Sequence, residues 1–213
     1  MAGLHSGGTT VFPDHASLWQ RVEMVQTDKR EAGPPPDVTR LHEAALAHLA
    51  RYATTQAGLI RVLDRRVERW ARAAEADAET RNMARASVRT VVARLAASGL
   101  VDDAAFAQSR ARSLTRAGRS RRAVVAHLAA RGIDGDTLRE ALPTNGDAEL
   151  CAAVACARRR RIGPFRSDPS EQADLRRELG MLARAGFAQD IATRVLRMEL
   201  AAAEDLIIQL RQS

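Results

Sequence analysis

The stretch Leu95-Ala96-Ala97-Ser98-Gly99-Leu100-Val101-Asp102-Asp103-Ala104-Ala105-Phe106-Ala107 sets the architecture, because its skeleton returns twice further along the chain: Leu-Ala, two residues, Gly, three residues, Asp. The second copy is Leu128, Ala129, Gly132, Asp136, and the third is Leu182, Ala183, Gly186, Asp190. An apolar residue follows each glycine: Leu100, Ile133 and Phe187. Each copy reads as a helix end, with a last apolar turn, then a glycine where only glycine takes a left-handed backbone cheaply, then an apolar residue packing back. An aspartate then stands ready to cap the next helix. The motif therefore predicts helix-turn-helix joints at Gly99 with Asp102 and Asp103, at Gly132 with Asp136, and at Gly186 with Asp190.

Composition agrees. Of 213 residues, 46% are hydrophobic and only 3% aromatic, and about a fifth are alanine. Valine and isoleucine are too scattered to build strands, so nearly everything between the turns should be helix and the class all-α. The formal charge is +7 and the base is almost entirely arginine, Lys29 being the only lysine. Codon use in a GC-rich genome can account for arginine over lysine together with so much alanine. It does not account for the net sign, which favours an anionic partner, either nucleic acid or an acidic protein surface.

In chain order, residues 1–37 carry Gly7-Gly8, Pro13 and Gly33-Pro34-Pro35-Pro36, with one short candidate helix over 15–25, and read as a mobile tail. Val38 to Tyr52 places Leu41, Ala45, Leu49 and Tyr52 on one helical face, with Leu46 beside them. Thr54 and Thr55 supply a turn with a capping hydroxyl. A longer helix runs to about Ala74 through Leu59, Ile60, Leu63, Val67 and Trp70, with Arg61, Arg65, Arg69 and Arg72 opposite. A third helix, Glu79 to Ser98, follows.

An echo appears 65 residues on. Leu49, Arg51, Leu59, Ile60, Leu63 and Arg66 align with Leu114, Arg116, Val124, Val125, Leu128 and Arg131, so the repeating unit is a three-helix bundle. The expected units are 38–99, 100–143 and 144–213. The second consists of Asp102 to Ala117, Arg119 to Arg131 and Asp134 to Leu142, closed by Pro143. The third, after the Thr144-Asn145-Gly146 turn, consists of Asp147 to Ile162, a joint with Gly163-Pro164 and Asp168-Pro169, Ser170 to Ala185, and Ala188 to about Leu210.

No catalytic set emerges. Asp102-Asp103 lacks a His or Glu at ligand spacing and reads as capping. His42, His48 and His127 have no cysteine or carboxylate at zinc or triad spacing, and His127 stands among apolar residues. Gly7-Gly8 and Gly163-Pro164 lack the lysine of a phosphate loop. Cys151 and Cys156 read as reduced core thiols. No cofactor and no metal are expected. The longest apolar run, Leu150 to Ala157, is too short to span a bilayer, so a cytoplasmic monomer is expected.

At this point the residues resemble a known family, the RecX regulators of the bacterial RecA recombinase. Gly99 to Ala107 is similar to the Gly-aliphatic-aliphatic-Asp-Asp signature that opens that family's central repeat. Arg119 to Gly132 resembles its second helix, and Ala157 to Leu196 its third repeat, including Gly186-Phe187. The similarity spans Val38 to Leu206, leaving the segment before Val38 and the joint after Ile162 unmatched. It implies a non-enzymatic protein of three tandem three-helix repeats in an elongated, curved array. Such a protein binds the RecA filament on DNA and restrains filament growth, ATP hydrolysis, strand exchange and repressor cleavage. It would thereby act in homologous recombination, DNA repair and the SOS response. The candidate contacts are Arg65, Arg69 and Arg72 in the first unit; Arg110, Arg116, Arg119, Arg121 and Arg122 in the second; and Arg158, Arg159, Arg160 and Arg161 in the third. The competing reading is a helical module that binds duplex DNA directly through one helix-turn-helix.

Overall fold

The computed structural model describes residues 33–142, 146–167 and 174–212, and its architecture lies in the unit that begins at Pro35. Residues 1–32 of the tail expected over 1–37, Pro143 with Thr144-Asn145, and the segment 168–173 with Asp168-Pro169 and the start of the helix expected from Ser170 lie outside the described residues. Among those described, the chain forms ten α-helices and no strand. They are α1 (Val38–Leu49), α2 (Gln56–Ala73), α3 (Ala78–Ala97), α4 (Asp103–Arg116), α5 (Arg121–Ala129), α6 (Gly135–Ala141), α7 (Gly146–Arg160), α8 (Leu175–Arg184), α9 (Gln189–Leu196) and α10 (Leu200–Gln212). A 3₁₀ turn, Gly163–Phe165, follows α7.

Three clusters of buried side chains follow in chain order. Leu41, Leu59, Leu63, Val67, Val88, Val92 and Leu95 gather α1 to α3. Ala107, Ala111, Val124, Leu128 and Leu138 gather α4 to α6. Val154, Cys156, Leu182, Val195 and Ile207 gather α7 to α10. Short polar side chains start the helices: Asp37, Thr55, Asp77, Asp102, Ser120, Asp134 and Asp174 each accept a bond from a first-turn N–H.

The recurring glycines adopt φ of 74° at Gly99, 87° at Gly132 and 93° at Gly186. The aspartates of the skeleton, however, are not the caps. After Gly132 the cap is Asp134, and Asp136 sits in the first turn paired with Arg139. After Gly186 the cap position is Ala188, without a side-chain bond, and Asp190 is again in the first turn. Asp103 likewise lies just inside α4, behind the cap Asp102. A first-turn carboxylate is still favoured by the helix dipole, so the pattern recurs for a different reason from capping. The first joint is also one residue longer than the others. Leu100 is therefore 58% exposed, and Val101 takes the inward place that Ile133 and Phe187 hold elsewhere.

Two further expectations change. Tyr52 lies beyond the end of α1 and is 59% exposed, so it is not on the buried face. The single helix expected from Ala188 to Leu210 is two, broken at Arg197–Glu199. No glycine or proline marks that break, and all three residues tolerate helix. Packing imposes it: the turn lets Ala203 and Ile207 of α10 return to the third cluster, and Leu200, at the bend, is left exposed. Within α8, the buried Glu178 accepts from Nε of Arg166 at 2.8 Å, a charge-assisted bond that ties the segment after α7 to the bundle.

The clusters are joined by one device used twice at the 65-residue offset. Thr55 Oγ1 accepts from Gly58 N at 3.0 Å and donates to the carbonyl of Arg131 at 2.7 Å. Ser120 Oγ accepts from Ala123 N at 3.3 Å and donates to the carbonyl of Ala185 at 2.7 Å. Each carbonyl belongs to the residue before a left-handed glycine, Gly132 or Gly186. An acid from the next cluster completes the joint: Asp103 Oδ1 accepts from Gln56 N, and Glu149 Oε2 from Arg121 N, both at 2.8 Å. In this way a helix start in one cluster is satisfied by groups of the next, which fixes their register.

Burial pushes both joint carboxyls above their usual pKa, against the lowering effect of the N–H each accepts. A raised folded-state pKa contributes stability present below the unfolded value and lost as pH rises through the folded one. Asp103→Asn and Glu149→Gln keep an acceptor oxygen and remove the charge. Their melting temperatures relative to the unaltered chain should therefore rise as pH climbs above the ordinary values of 3.8 and 4.5. Asp103→Ala, which strands the Gln56 N–H, should instead cost about 1 kcal/mol at neutral pH. Parallel thermal melts across that range check both.

Candidate functional site

The candidate arginines are spread over α2, α4, α5, α7 and the turns beside them. Arg65, Arg69 and Arg72 are exposed along α2, and Arg72 Nε bonds its own helix at the carbonyl of Glu68, 3.2 Å away. Arg119 lies in the turn before α5, and Arg121 and Arg122 in its first turn. Arg160 ends α7, and Arg161 follows with a left-handed φ of 55°.

Three of the candidates do converge. Arg116 at the end of α4 and Arg158 and Arg159 at the end of α7 line one cavity of about 430 Å³, floored by Ile207 and Leu210 of α10. A second cavity, of about 680 Å³, adjoins it through Arg116 and Leu210 and adds Arg112, Arg139 and Leu142. Arg159 Nη1 donates to the carbonyl of Ala117 at 2.7 Å, so it also fastens α7 to the end of α4. The groove thus has cationic walls over an apolar floor, tempered by Glu140 and Asp147. It suits a partner carrying acidic and apolar side chains together. Cys151 also lines it, with its thiol pushed up by burial and then by Asp147, so at neutral pH it is a protonated, poor nucleophile.

Arg112 is a residue the sequence reading passed over, although it stands four before Arg116 and so shares its helical face. The contribution of α10 had no signal, since it depends on the unmarked bend at Arg197–Glu199.

Arg110 goes elsewhere. Its Nε donates to His127 Nε2 at 3.3 Å, and Nε of Arg131 donates to the same atom at 3.0 Å. His127 is therefore not alone among apolar residues, as its sequence neighbours suggested. Burial, then Arg131, Arg110 and Arg119, hold its pKa below the usual value, which leaves the imidazole neutral and able to accept from both.

Among the described residues no group of three or more His, Cys, Asp or Glu could hold a metal ion, and no helix is long and apolar enough to cross a membrane. Fold and site define a helical scaffold whose grooves present arginine over apolar walls. Residues 102–142 match the family model described as RecX, second three-helix domain. The regulatory protein RecX of Myxococcus xanthus (strain DK1622) is 40% identical over 175 residues, covering 79% of this chain and 92% of that protein. Those of Agrobacterium fabrum (strain C58 / ATCC 33970) and Thermobifida fusca (strain YX) are 35% and 37% identical over 107 and 116 residues, covering 57% and 62% of their lengths. The chain belongs to the RecX family of regulatory proteins.

Proposed function

We propose that this chain binds the RecA recombinase filament on DNA and restrains it, thereby modulating recombination, repair and the SOS response, and that it does so by binding and not by catalysis. The observation that supports this most is the groove in which Arg116 of the second cluster meets Arg158 and Arg159 of the third, on a chain belonging to a family of regulatory proteins. A filament repeats one protein surface along its length. Cationic contacts carried by successive helical bundles can then engage successive protomers together, with each bundle adding to the effective concentration of the next.

Adding the chain to recombinase that is hydrolysing ATP on single-stranded DNA should slow hydrolysis progressively. The inhibition should weaken between low and physiological salt as the arginine attraction is screened. An unchanged hydrolysis rate at stoichiometric excess would rule the proposal out. Duplex DNA is the other anionic target that the chain's positive charge could serve. In that case the chain would bind naked duplex as well in the absence of recombinase as on coated DNA.

A further inference from the structure

The first junction contains an open seat where the second is closed. At the second junction, α7 lies directly against the end of α4: an added Cβ at Gly118 would stand 2.7 Å from Cys156 N, and Arg159 caps the carbonyl of Ala117. Stepping back by the 65 residues that separate Ser120 from Thr55 replaces Ala117 and Gly118 with Tyr52 and Ala53. Stepping back by the 46 that separate Glu149 from Asp103 replaces Ala155, Cys156 and Arg159 with Ser109, Arg110 and Ser113. These five residues do not close. They line a cavity of about 680 Å³, together with Leu100, Phe106, Asp102 and Arg131.

Two features make this cavity a binding site and not merely a packing gap. Tyr52 and Leu100 stand 59% and 58% exposed along it, two large apolar side chains left mostly open, the Tyr52 ring meeting that of His48 near the end of α1, 5.2 Å between ring centroids. In the same cavity, Arg110 and Arg131 are drawn together because both donate to the one nitrogen of His127. Two guanidinium groups held a few ångströms apart by a neutral acceptor repel each other, and an incoming anion relieves that repulsion.

We propose that this groove docks a short segment of a protein partner in which an acidic side chain reaches Arg110 and Arg131 while an adjacent apolar side chain packs between Tyr52, Leu100 and Phe106. Charge complementarity chooses the occupant. Arg110 and Arg131 share the groove with a carboxylate, that of Asp102. A nucleic-acid strand, with a phosphate at every nucleotide, would meet that carboxylate, whereas a peptide can offer it a backbone N–H. The site is separate from the Arg116 groove and does not depend on the identity proposed for the filament partner.

The test uses the full chain and three probes: an N-acetylated Leu-Phe-Asp-Glu amide, its neutral counterpart Leu-Phe-Asn-Gln, and an eight-residue oligodeoxythymidylate. Binding is read from NMR shifts of the Tyr52 and His127 rings. The acidic peptide should bind with a Kd of about 1 mM or tighter. Arg131→Gln, at an exposed position, and Tyr52→Ala should each weaken it about tenfold, and the neutral peptide should be weaker by a similar factor. An Arg131→Lys variant, which keeps the charge, should retain most of the affinity, separating a binding role from a folding one. If both peptides bind alike, if Arg131→Gln changes nothing, or if the oligonucleotide shifts these rings while the acidic peptide does not, the proposal is wrong.

Discussion

Gly118→Ala is expected to lower stability by about 3 kcal/mol, which for a chain of this size is a fall of about 6–12 °C in melting temperature. Two costs add. The backbone at Gly118 has φ of 72°, a left-handed conformation that any side chain makes unfavourable. The new methyl would also stand 2.7 Å from Cys156 N and 3.0 Å from the carbonyl carbon of Ala155, both of them backbone atoms of α7 that cannot swing aside. Gly99→Ala isolates the first cost, because its φ is 74° but nothing lies within 4 Å of the added atom. It should cost only about 1 kcal/mol. Gly132→Val should cost at least as much as Gly118→Ala, since its Cβ would stand 2.3 Å from the Ala57 Cβ, which is fixed to α2, and it is β-branched in a left-handed position. Thermal or urea unfolding of the three variants gives the order. Equal losses at Gly118 and Gly99 would mean that α7 does not bear on the end of α4.

How far the sequence carried this picture varies from joint to joint. Gly99, Gly132 and Gly186 were legible because a left-handed helix end demands glycine and leaves a pattern of apolar residues around it. Gly118 also ends a helix left-handed, but no apolar residue follows it to frame the pattern, and its second constraint comes from α7, some forty residues later. The aspartates misled because a carboxylate in the first helical turn and one at the cap are both favoured, so composition alone does not separate Asp134 from Asp136. The echo between 49–66 and 114–131 was visible in apolar and arginine positions. That it also repeats a joint, Thr55 with Asp103 and Ser120 with Glu149, became apparent only when bonds between distant residues could be seen. For the same reason the arginines could be named from sequence, but not sorted into those that meet, Arg116 with Arg158 and Arg159, and the one that turns to His127.

Removing arginine charge in two clusters should weaken inhibition of the recombinase much more than removal in either. Arg65→Gln with Arg69→Gln on α2, and Arg116→Gln with Arg158→Gln in the shared groove, form the two sets; Arg159 is left in place because it also holds the Ala117 carbonyl. Each set alone should raise the concentration needed for half-inhibition about tenfold, and the combination about a hundredfold or more, as linked contacts lose their mutual effective concentration. Titrating each variant into recombinase hydrolysing ATP on single-stranded DNA, with a melt to show that the fold is intact, measures this. Complete loss from one set and none from the other would make the protein a single-site binder.

Affinity for three forms of the same DNA, namely naked single strand, naked duplex and single strand coated with recombinase, separates a filament regulator from a DNA-binding module. Measured at physiological salt with the full chain, binding should be at least tenfold tighter to the coated strand than to either naked form, because the acidic and apolar surface that the Arg116 groove fits is protein. Equal or tighter binding to naked duplex would contradict the account and leave the positive charge to be explained by DNA alone.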